Sequence, residues 1–385
     1  MSKWKEYKLS NLCIDISYGY TQSASIEEIG PKFLRITDIV PNRINWDTVP
    51  YCKISKDNFK KYKLEIDDIV IARTGATTGY NKTIKDNVPS VFASYLIRYK
   101  INKELADSSF VGYNLQSNNW YDYVDAISGG SAQPGANAKQ LGSFDILLPP
   151  LPEQSAIAVV LSSLDDKIDL LHRQNETLEK MAETLFRQWF IEEAKEEWEE
   201  RSLSSIATFL NGLACQKYPP KNEIDKLPVL KIKELSSGIN ESSDWASTKI
   251  APEYFVRNGE VIFAWSASLM VKIWDGQDCI LNQHLFKVSS TEFPKWFIYL
   301  WCKHHLTQFI AIAKAHATTM GHIKRGDLDA AGVSIPTANE ITEMTHRAGP
   351  LIDRVITNNK QIHTLTNLRN TLLPKLMSGE VRVKI

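Results

Sequence analysis

The feature that most restricts the fold is a repeat: the chain carries one layout twice, offset by roughly half its length. Leu164, Asp166, Lys167 and Ile168 recur as Leu351, Asp353, Arg354 and Val355. The same offset carries Pro149 onto Pro336, Gln174 onto Gln361, Thr177-Leu178 onto Thr364-Leu365 and Thr184-Leu185 onto Thr371-Leu372. Fainter echoes at slightly longer offsets pair Trp4…Leu9 with Trp198…Leu203, Leu34-Arg35-Ile36 with Leu230-Lys231-Ile232, and Asp68-Ile69-Val70 with Glu260-Val261-Ile262. The predicted order is globular half, long helix, globular half, long helix. A chain built twice suits a target that is two-fold or in two parts.

The helices are the most legible elements. Pro149-Pro150-Leu151-Pro152 stops a strand, and Glu153 fits a helix N-terminus. From there, alternating steps of four and three give Ile157, Leu161, Leu164, Ile168, Leu171, Asn175, Leu178, Ala182, Leu185 and Trp189. The shifted copy gives Met344, Ala348, Leu351, Val355, Asn358, Ile362, Leu365, Arg369, Leu372 and Leu376, and Ser378-Gly379 ends it. These are heptad seams, each about 33 residues and therefore about 50 Å long. Asn175, Asn358 and Arg369 interrupt them, and polar seam residues select register and partner at a cost in stability. Each seam could pair with another copy of the chain. The more economical arrangement pairs the two with each other, antiparallel.

The globular halves read as β-rich with short helices, an α/β (α+β) fold class. Strands are predicted at Phe33–Ile39, Asp68–Ala72, Ser94–Tyr99 and Phe144–Leu148, then at Val229–Leu235, Glu260–Trp265 and Leu285–Val288. Lys295–Ala315 reads as a helix. Ten tryptophans and fourteen tyrosines suit packed β-rich units or stacking surfaces. The five cysteines show neither a CxxC pair nor regular spacing, which fits reduced thiols better than a disulfide frame or zinc site. No apolar run reaches a membrane span and the first residues are polar, so the expectation is a soluble intracellular protein. A formal net charge of zero gives no global sign of a nucleic-acid partner, but local patches decide that question.

Familiar catalytic signatures are missing. The chain has no Walker loop, no GxGxxG after a strand, no Asn-Pro-Pro-Tyr type motif and no HExxH. His304 and His305 are adjacent on a predicted helix, so they diverge by about 100° and make a poor joint metal site. Asp67-Asp68 is matched by Asn258 or Gly259, and Glu260, in the second copy, so a shared catalytic pair is a worse account than a turn before a strand. What remains are polar loops at the ends of strands. The first half offers Arg73, Thr74, Thr77, Thr78, Tyr80, Asn81 and Lys82, with Ser131, Gln133, Asn137 and Lys139 on a second loop. The second half offers Trp265, Ser266, Ser268, Lys272, Asn282, Gln283, His284, Thr318, Thr319, His322 and Lys324. Arginine reads guanine, Asn and Gln read adenine, and Thr and Lys hold phosphate. Singly, such loops are mostly solvated surface; matching places with different residues suggest two equivalent surfaces for two targets.

Over nearly its whole length the chain resembles the DNA-specificity subunit of type I restriction–modification systems. The pieces are Trp4-Lys5-Glu6-Tyr7-Lys8-Leu9, Asp67-Asp68-Ile69-Val70-Ile71-Ala72-Arg73-Thr74-Gly75, Leu148-Pro149-Pro150-Leu151-Pro152-Glu153-Gln154 and Phe186-Arg187-Gln188-Trp189-Phe190. Gly259-Glu260-Val261-Ile262-Phe263-Ala264-Trp265-Ser266, Leu281-Asn282-Gln283-His284-Leu285-Phe286-Lys287-Val288 and Leu372-Leu373-Pro374-Lys375-Leu376-Met377-Ser378-Gly379-Glu380 complete the set. One departure is Ile335-Pro336-Thr337-Ala338-Asn339-Glu340, which replaces the Pro-Pro-rich approach to the second helix. The resemblance implies a first target recognition domain over 1–151, a spacer helix over 152–196, a second recognition domain over 197–339, a second spacer over 340–379 and a tail over 380–385. It implies binding of double-stranded DNA at a split, asymmetric site, one half-site per domain, with the helices setting the gap and docking two methyltransferase subunits. S-adenosylmethionine, and ATP and Mg²⁺ for restriction, belong to partner subunits, including restriction/translocase subunits; the chain itself holds no cofactor or metal and catalyses nothing. The setting implied is defence against foreign DNA in a bacterial or archaeal cytoplasm. The rival readings are a coiled-coil adaptor without DNA specificity and an autonomous nuclease.

Overall fold

The computed structural model describes residues 4–41, 43–128, 135–315 and 321–384. They divide into two compact units, residues 1–169 with 366–385 and residues 170–365, whose boundaries fall inside both long helices.

In the first unit, β1 (Lys5–Lys8) is followed by β2 (Cys13–Tyr18), β3 (Lys32–Leu34), α1 (Ile36–Ile39), α2 (Lys56–Tyr62), β4 (Asp68–Ala72), β5 (Asn81–Thr83), β6 (Ser90–Phe92) and β7 (Leu96–Ile101). Helices α3 (Ser108–Asn114), α4 (Asn118–Ser128) and α5 (Ala138–Gly142) precede β8 (Asp145–Leu148). An antiparallel sheet runs β2-β7-β4-β5; β3 pairs parallel with β6, and β1 antiparallel with β8. The strand β4 is buried along its whole length, and after Asp68 it reads as a continuous apolar run. Its core joins Leu9, Ile69, Tyr99 and Trp120 to Ile157 and Leu161 of α6 (Leu151–Arg187) and to Leu373 and Leu376 near the end of the last helix.

The second unit repeats the plan with β9 (Glu199–Ser202), α7 (Leu203–Ile206), β10 (Thr208–Asn211), β11 (Lys226–Leu230), α8 (Ile232–Ser237), β12 (Trp245–Ser247), β13 (Phe255–Val256), β14 (Val261–Ala264), β15 (Met270–Ile273), β16 (Cys279–Leu281) and β17 (Leu285–Ser289). Then come α9 (Lys295–Ala315), α10 (Arg325–Asp329), β18 (Gly332–Ile335) and α11 (Ala338–Met377). The sheet β10-β17-β14-β15 copies β2-β7-β4-β5, the parallel pair β11-β16 copies β3-β6, and β18-β9 copies β8-β1. An aromatic core of Phe186, Trp189, Phe190, Phe263, Trp296, Phe297 and Trp301 ties α6, β14 and α9 together.

Two sequence expectations fail in the same way. Phe33–Ile39 and Val229–Leu235 each end their strand early, at Leu34 and Leu230, and turn into a short helix. At the first of them Asp38 folds back to accept from Arg35 N at 2.8 Å, a cap that an apolar run does not reveal. Asp68–Ala72 and Lys295–Ala315 form as expected.

The long helices pair antiparallel, and no seam position is exposed in either. Their polar seam residues meet each other. Within the second unit Asn358 Nδ2 donates to Asn175 Oδ1 at 2.9 Å, and Asn175 Nδ2 donates to Asn359 Oδ1 at 2.6 Å. Within the first, Asp165 accepts from Arg369 Nε at 3.1 Å and from the Tyr113 hydroxyl at 2.7 Å. The departure at the second helix start proves to be a capping box: Thr337 N donates to Glu340 Oε2 at 2.9 Å, and Glu340 N to Thr337 Oγ1 at 3.4 Å. Gly379, at φ +75°, closes that helix. Among the described residues no helix is long and apolar enough to cross a membrane.

Candidate nucleic-acid interface

In the first unit β4 ends at Ala72 and releases Arg73. The Arg73 N–H donates to Tyr95 O at 3.0 Å, and its carbonyl accepts from Ala136 N at 2.9 Å. Thr74 bridges to Gly135. The Arg73 Nε donates to Ser94 O at 3.0 Å, and the guanidinium carbon lies 5.1 Å from the centre of the Tyr18 ring. These contacts hold the side chain at its stem, and the terminal guanidinium nitrogens bond to none of the described residues. Around it, Tyr18 and Tyr95 are 43% and 58% exposed.

The second unit builds the same frame from other residues. The Trp265 N–H faces His284 O at 3.4 Å, the Trp265 carbonyl accepts from Ile323 N at 3.1 Å, and Ser266 bridges to His322. Trp265 Nε1 donates to Asn211 Oδ1 at 3.2 Å, and its ring stacks on Phe286 with centroids 5.7 Å apart. His322 meets the Trp265 ring edge-on at 6.3 Å. Ser266 Oγ lies 3.2 Å from His284 Nδ1, and Gln283 Nε2 lies 3.4 Å from His284 Nε2.

Strand register makes the equivalences explicit. Ala72 faces Leu96 as Ala264 faces Leu285, and Tyr18 faces Ile97 as Asn211 faces Phe286. Hence Tyr18 corresponds to Asn211, Arg73 to Trp265, Thr74 to Ser266, Ser94 to Gln283 and Tyr95 to His284. Gly19 and Gly212 follow the first pair. A Cβ there would sit 2.2 Å from the carbonyl oxygen of Ala93 or Asn282, so only glycine permits this crossing. One face thus offers a guanidinium among phenols; the other offers an indole among imidazoles and amides.

The remaining candidates divide between surface and frame. Asn137 and Lys139 are exposed beside this face, Asn137 capping α5 in a box with Gln140. Ser268, His322 and Lys324 are also exposed. Tyr80 is 37% exposed and packs edge-on against Tyr121. Thr77 is half-buried, and Lys272 forms an ion pair with Asp275 at 3.0 Å. Thr78, Ser266 and Asn282 are buried, the Thr78 hydroxyl donating to Gly75 O at 2.7 Å. Asn81 and Lys82, expected on the loop, belong to β5 instead, because the turn after β4 closes by Tyr80. The Asn81 amide donates inward to Gly79 O at 3.1 Å and to Leu115 O. Burial, and then the Arg369 guanidinium, hold the Lys82 ammonium below the usual lysine range. Ser131, Gln133, Thr318 and Thr319 lie outside the described residues.

Tyr18, Tyr95 and Asn211 escaped the sequence reading. The signal was present in the repeat: Tyr18-Gly19 aligns with Asn211-Gly212, and Ser94-Tyr95 with the Gln283-His284 already singled out. Asp67 and Gly259 both take a positive φ, of 75° and 91°. Asp68 is buried and accepts from Glu65 N at 2.9 Å, so this pair forms a turn before a strand. His305 is buried with Nε2 2.8 Å from Gly332 O, whereas His304 is exposed. Among the described residues no cluster of three His, Cys, Asp or Glu side chains could hold a metal.

A family model described as the type I restriction modification DNA specificity domain matches residues 1–180 and again residues 195–367. The chain is 29% identical over 346 residues to the type I restriction enzyme MjaIX specificity subunit of Methanocaldococcus jannaschii, covering 82% of this chain and 75% of that protein. It is 26% identical over 199 residues to the HindI specificity subunit of Haemophilus influenzae, covering 50% and 42%. The crystal structure of the type I restriction–modification system S subunit from M. genitalium aligns with a TM-score of 0.60 over 99% of this chain and 96% of that one; at 14% identity this likeness is one of fold.

Proposed function

The chain belongs to the type I restriction modification DNA specificity family, and from that premise we propose that it reads a bipartite, asymmetric DNA site, one part with each recognition domain. The family is non-catalytic, so the chain supplies recognition while chemistry resides on its partners. Two methyltransferase subunits dock on the paired helices and bring S-adenosylmethionine; restriction/translocase subunits bring ATP and Mg²⁺. The observation that carries this reading is the frame that repeats while its side chains do not. Five equivalent positions hold Tyr18, Arg73, Thr74, Ser94 and Tyr95 in one domain and Asn211, Trp265, Ser266, Gln283 and His284 in the other. Equal frames with unlike donors and rings suit two different short base sequences.

The test is an exchange of residues 1–150 for those of a relative, in the assembled methyltransferase. One half of the methylated sequence should change while the other half and the gap stay. Both halves changing together would refute independent reading. Methylation or cleavage by the isolated chain would refute the non-catalytic role, and loss of all duplex binding in the complex would favour the adaptor.

A further inference from the structure

The two domains differ in charge where their frames agree. Register aligns the segment after β3 with the segment after β11: Lys32 faces Tyr51 as Pro228 faces Trp245, and Lys63 faces Val91 as Phe255 faces Ile280. Residues 53–63 therefore correspond to 247–255. The first stretch carries five lysines against one aspartate; the second carries one lysine and one glutamate. That single lysine, Lys249, is held by Asp225 at 3.2 Å. By contrast Lys53, Lys56 and Lys60 are exposed on or beside α2, with no ion pair to any described residue.

The basic patch adjoins the candidate reading face. Gln22 Nε2 donates to Lys53 O at 3.3 Å, and the Tyr20 and Tyr62 rings pack with centroids 5.2 Å apart. Ser94 N donates to Tyr20 O at 3.0 Å, and Ser94 O holds Arg73. A short run of direct contacts thus joins α2 to Arg73. Flexible ammonium groups without carboxylate partners suit the regularly spaced charges of a nucleic-acid backbone, where they release counterions and carry no base information.

We propose that Lys53, Lys56 and Lys60 hold the phosphate backbone of duplex DNA beside the first half-site, and that the equivalent stretch of the second domain, residues 247–255, provides no such clamp. This rests on the DNA-reading function above.

The test uses the full chain assembled with its methyltransferase subunits and a short duplex carrying the site they methylate. Binding is titrated against salt for the wild type, for the triple variant Lys53→Gln, Lys56→Gln, Lys60→Gln, and for the same three positions as arginine. Each phosphate deprived of its ammonium should reduce the slope of log K against log salt by about 0.9, so the glutamine variant should fall short of the wild-type slope by about 2.7. Its affinity should fall for every sequence alike, its methylated bases should not change, and the arginine variant should keep the wild-type slope. Lys249→Gln, in the second domain, should leave the slope unchanged. An unchanged slope in the glutamine variant, with specific binding intact, overturns this inference alone. A change in the methylated bases also overturns it, since the lysines would then read sequence. A wild-type complex without specific duplex binding overturns it together with the reading beneath it.

Discussion

At the residue scale, Arg73 is the side chain we propose as a base reader. Its stem is pinned by Ser94 O and its guanidinium carbon lies 5.1 Å from the centre of the Tyr18 ring, while the terminal nitrogens bond to none of the described residues. A fork held this way suits guanine, which presents two acceptors to it. Arg73→Lys keeps the charge and loses the fork, so about 1–3 kcal/mol of discrimination should vanish at one base pair of the first half-site. Sequencing of methylated sites checks this, and relaxation in the second half-site would contradict it. Buried polar residues follow a different logic. Asn358 is fully buried and donates to Asn175, so Asn358→Leu should destabilise the second unit by about 1–3 kcal/mol in urea unfolding. The double variant Asn175→Leu, Asn358→Leu should recover much of that loss, because an apolar seam needs no partner. Glu340 adds a dependence on pH. Hydrogen bonds from Lys195 above all, then from Thr337 and Trp198, hold its carboxyl at about 2 against an ordinary 4.5. A depressed carboxylate stabilises the fold above its unfolded pKa and loses that contribution as pH falls through the folded one. Stability of the second unit should therefore drop between about pH 4.5 and pH 2, and Glu340→Gln should flatten that part of the thermal-unfolding profile.

At the scale of elements, the long helices were legible because a heptad seam leaves a mark at every third or fourth residue. The polar residues that interrupt the seams were visible too, but their partners were not. That Asn175 meets Asn358 and Arg369 meets Asp165 follows from an antiparallel register, which two separate seams leave open. Short elements were less legible: a stretch such as Phe33–Ile36, apolar except for Arg35, fits strand and helix alike, and the deciding cap lies in Asp38. Loop chemistry was legible only as a pool of candidates. Burial then sorted Asn81 and Thr78 into the frame and left Arg73 and Trp265 at the face. The register also makes the spacer testable. Inserting one heptad after Arg173 and another after Lys360 keeps the Asn175–Asn358 layer and lengthens the pair by about 10 Å. That rise equals about three base pairs at 3.4 Å per pair, which also turn the duplex by about a quarter to a third of a turn. The unread gap should lengthen by one to three pairs with both half-sites retained. Methylation of the original spacing by a folded variant would move the ruler to the partner subunits.

For the whole molecule the repeat, and nothing in its composition, disclosed the plan. In the second unit the chain runs unbroken from α6 into β9, where Lys195 and Trp198 both bond Glu340 at the start of α11, at 2.5 Å and 3.0 Å. In the first unit the same corner is assembled from residues far apart in sequence. Arg382 pairs with Glu153 at the start of α6 and lies 5.6 Å from the centre of the Trp4 ring, while Gly379 packs beneath that ring. The same kind of corner is thus made with a covalent link in one unit and without one in the other, and the link can be moved. Joining residue 385 to residue 1 through a short flexible linker and opening the chain at Lys195-Glu196 exchanges one corner for its copy. Closure of so short a loop costs little, because Trp4 already meets Gly379 and Arg382. Such a permuted chain should fold, assemble and methylate the same bipartite sequence, with the half-site order along the DNA unchanged although the order of domains along the polypeptide is reversed.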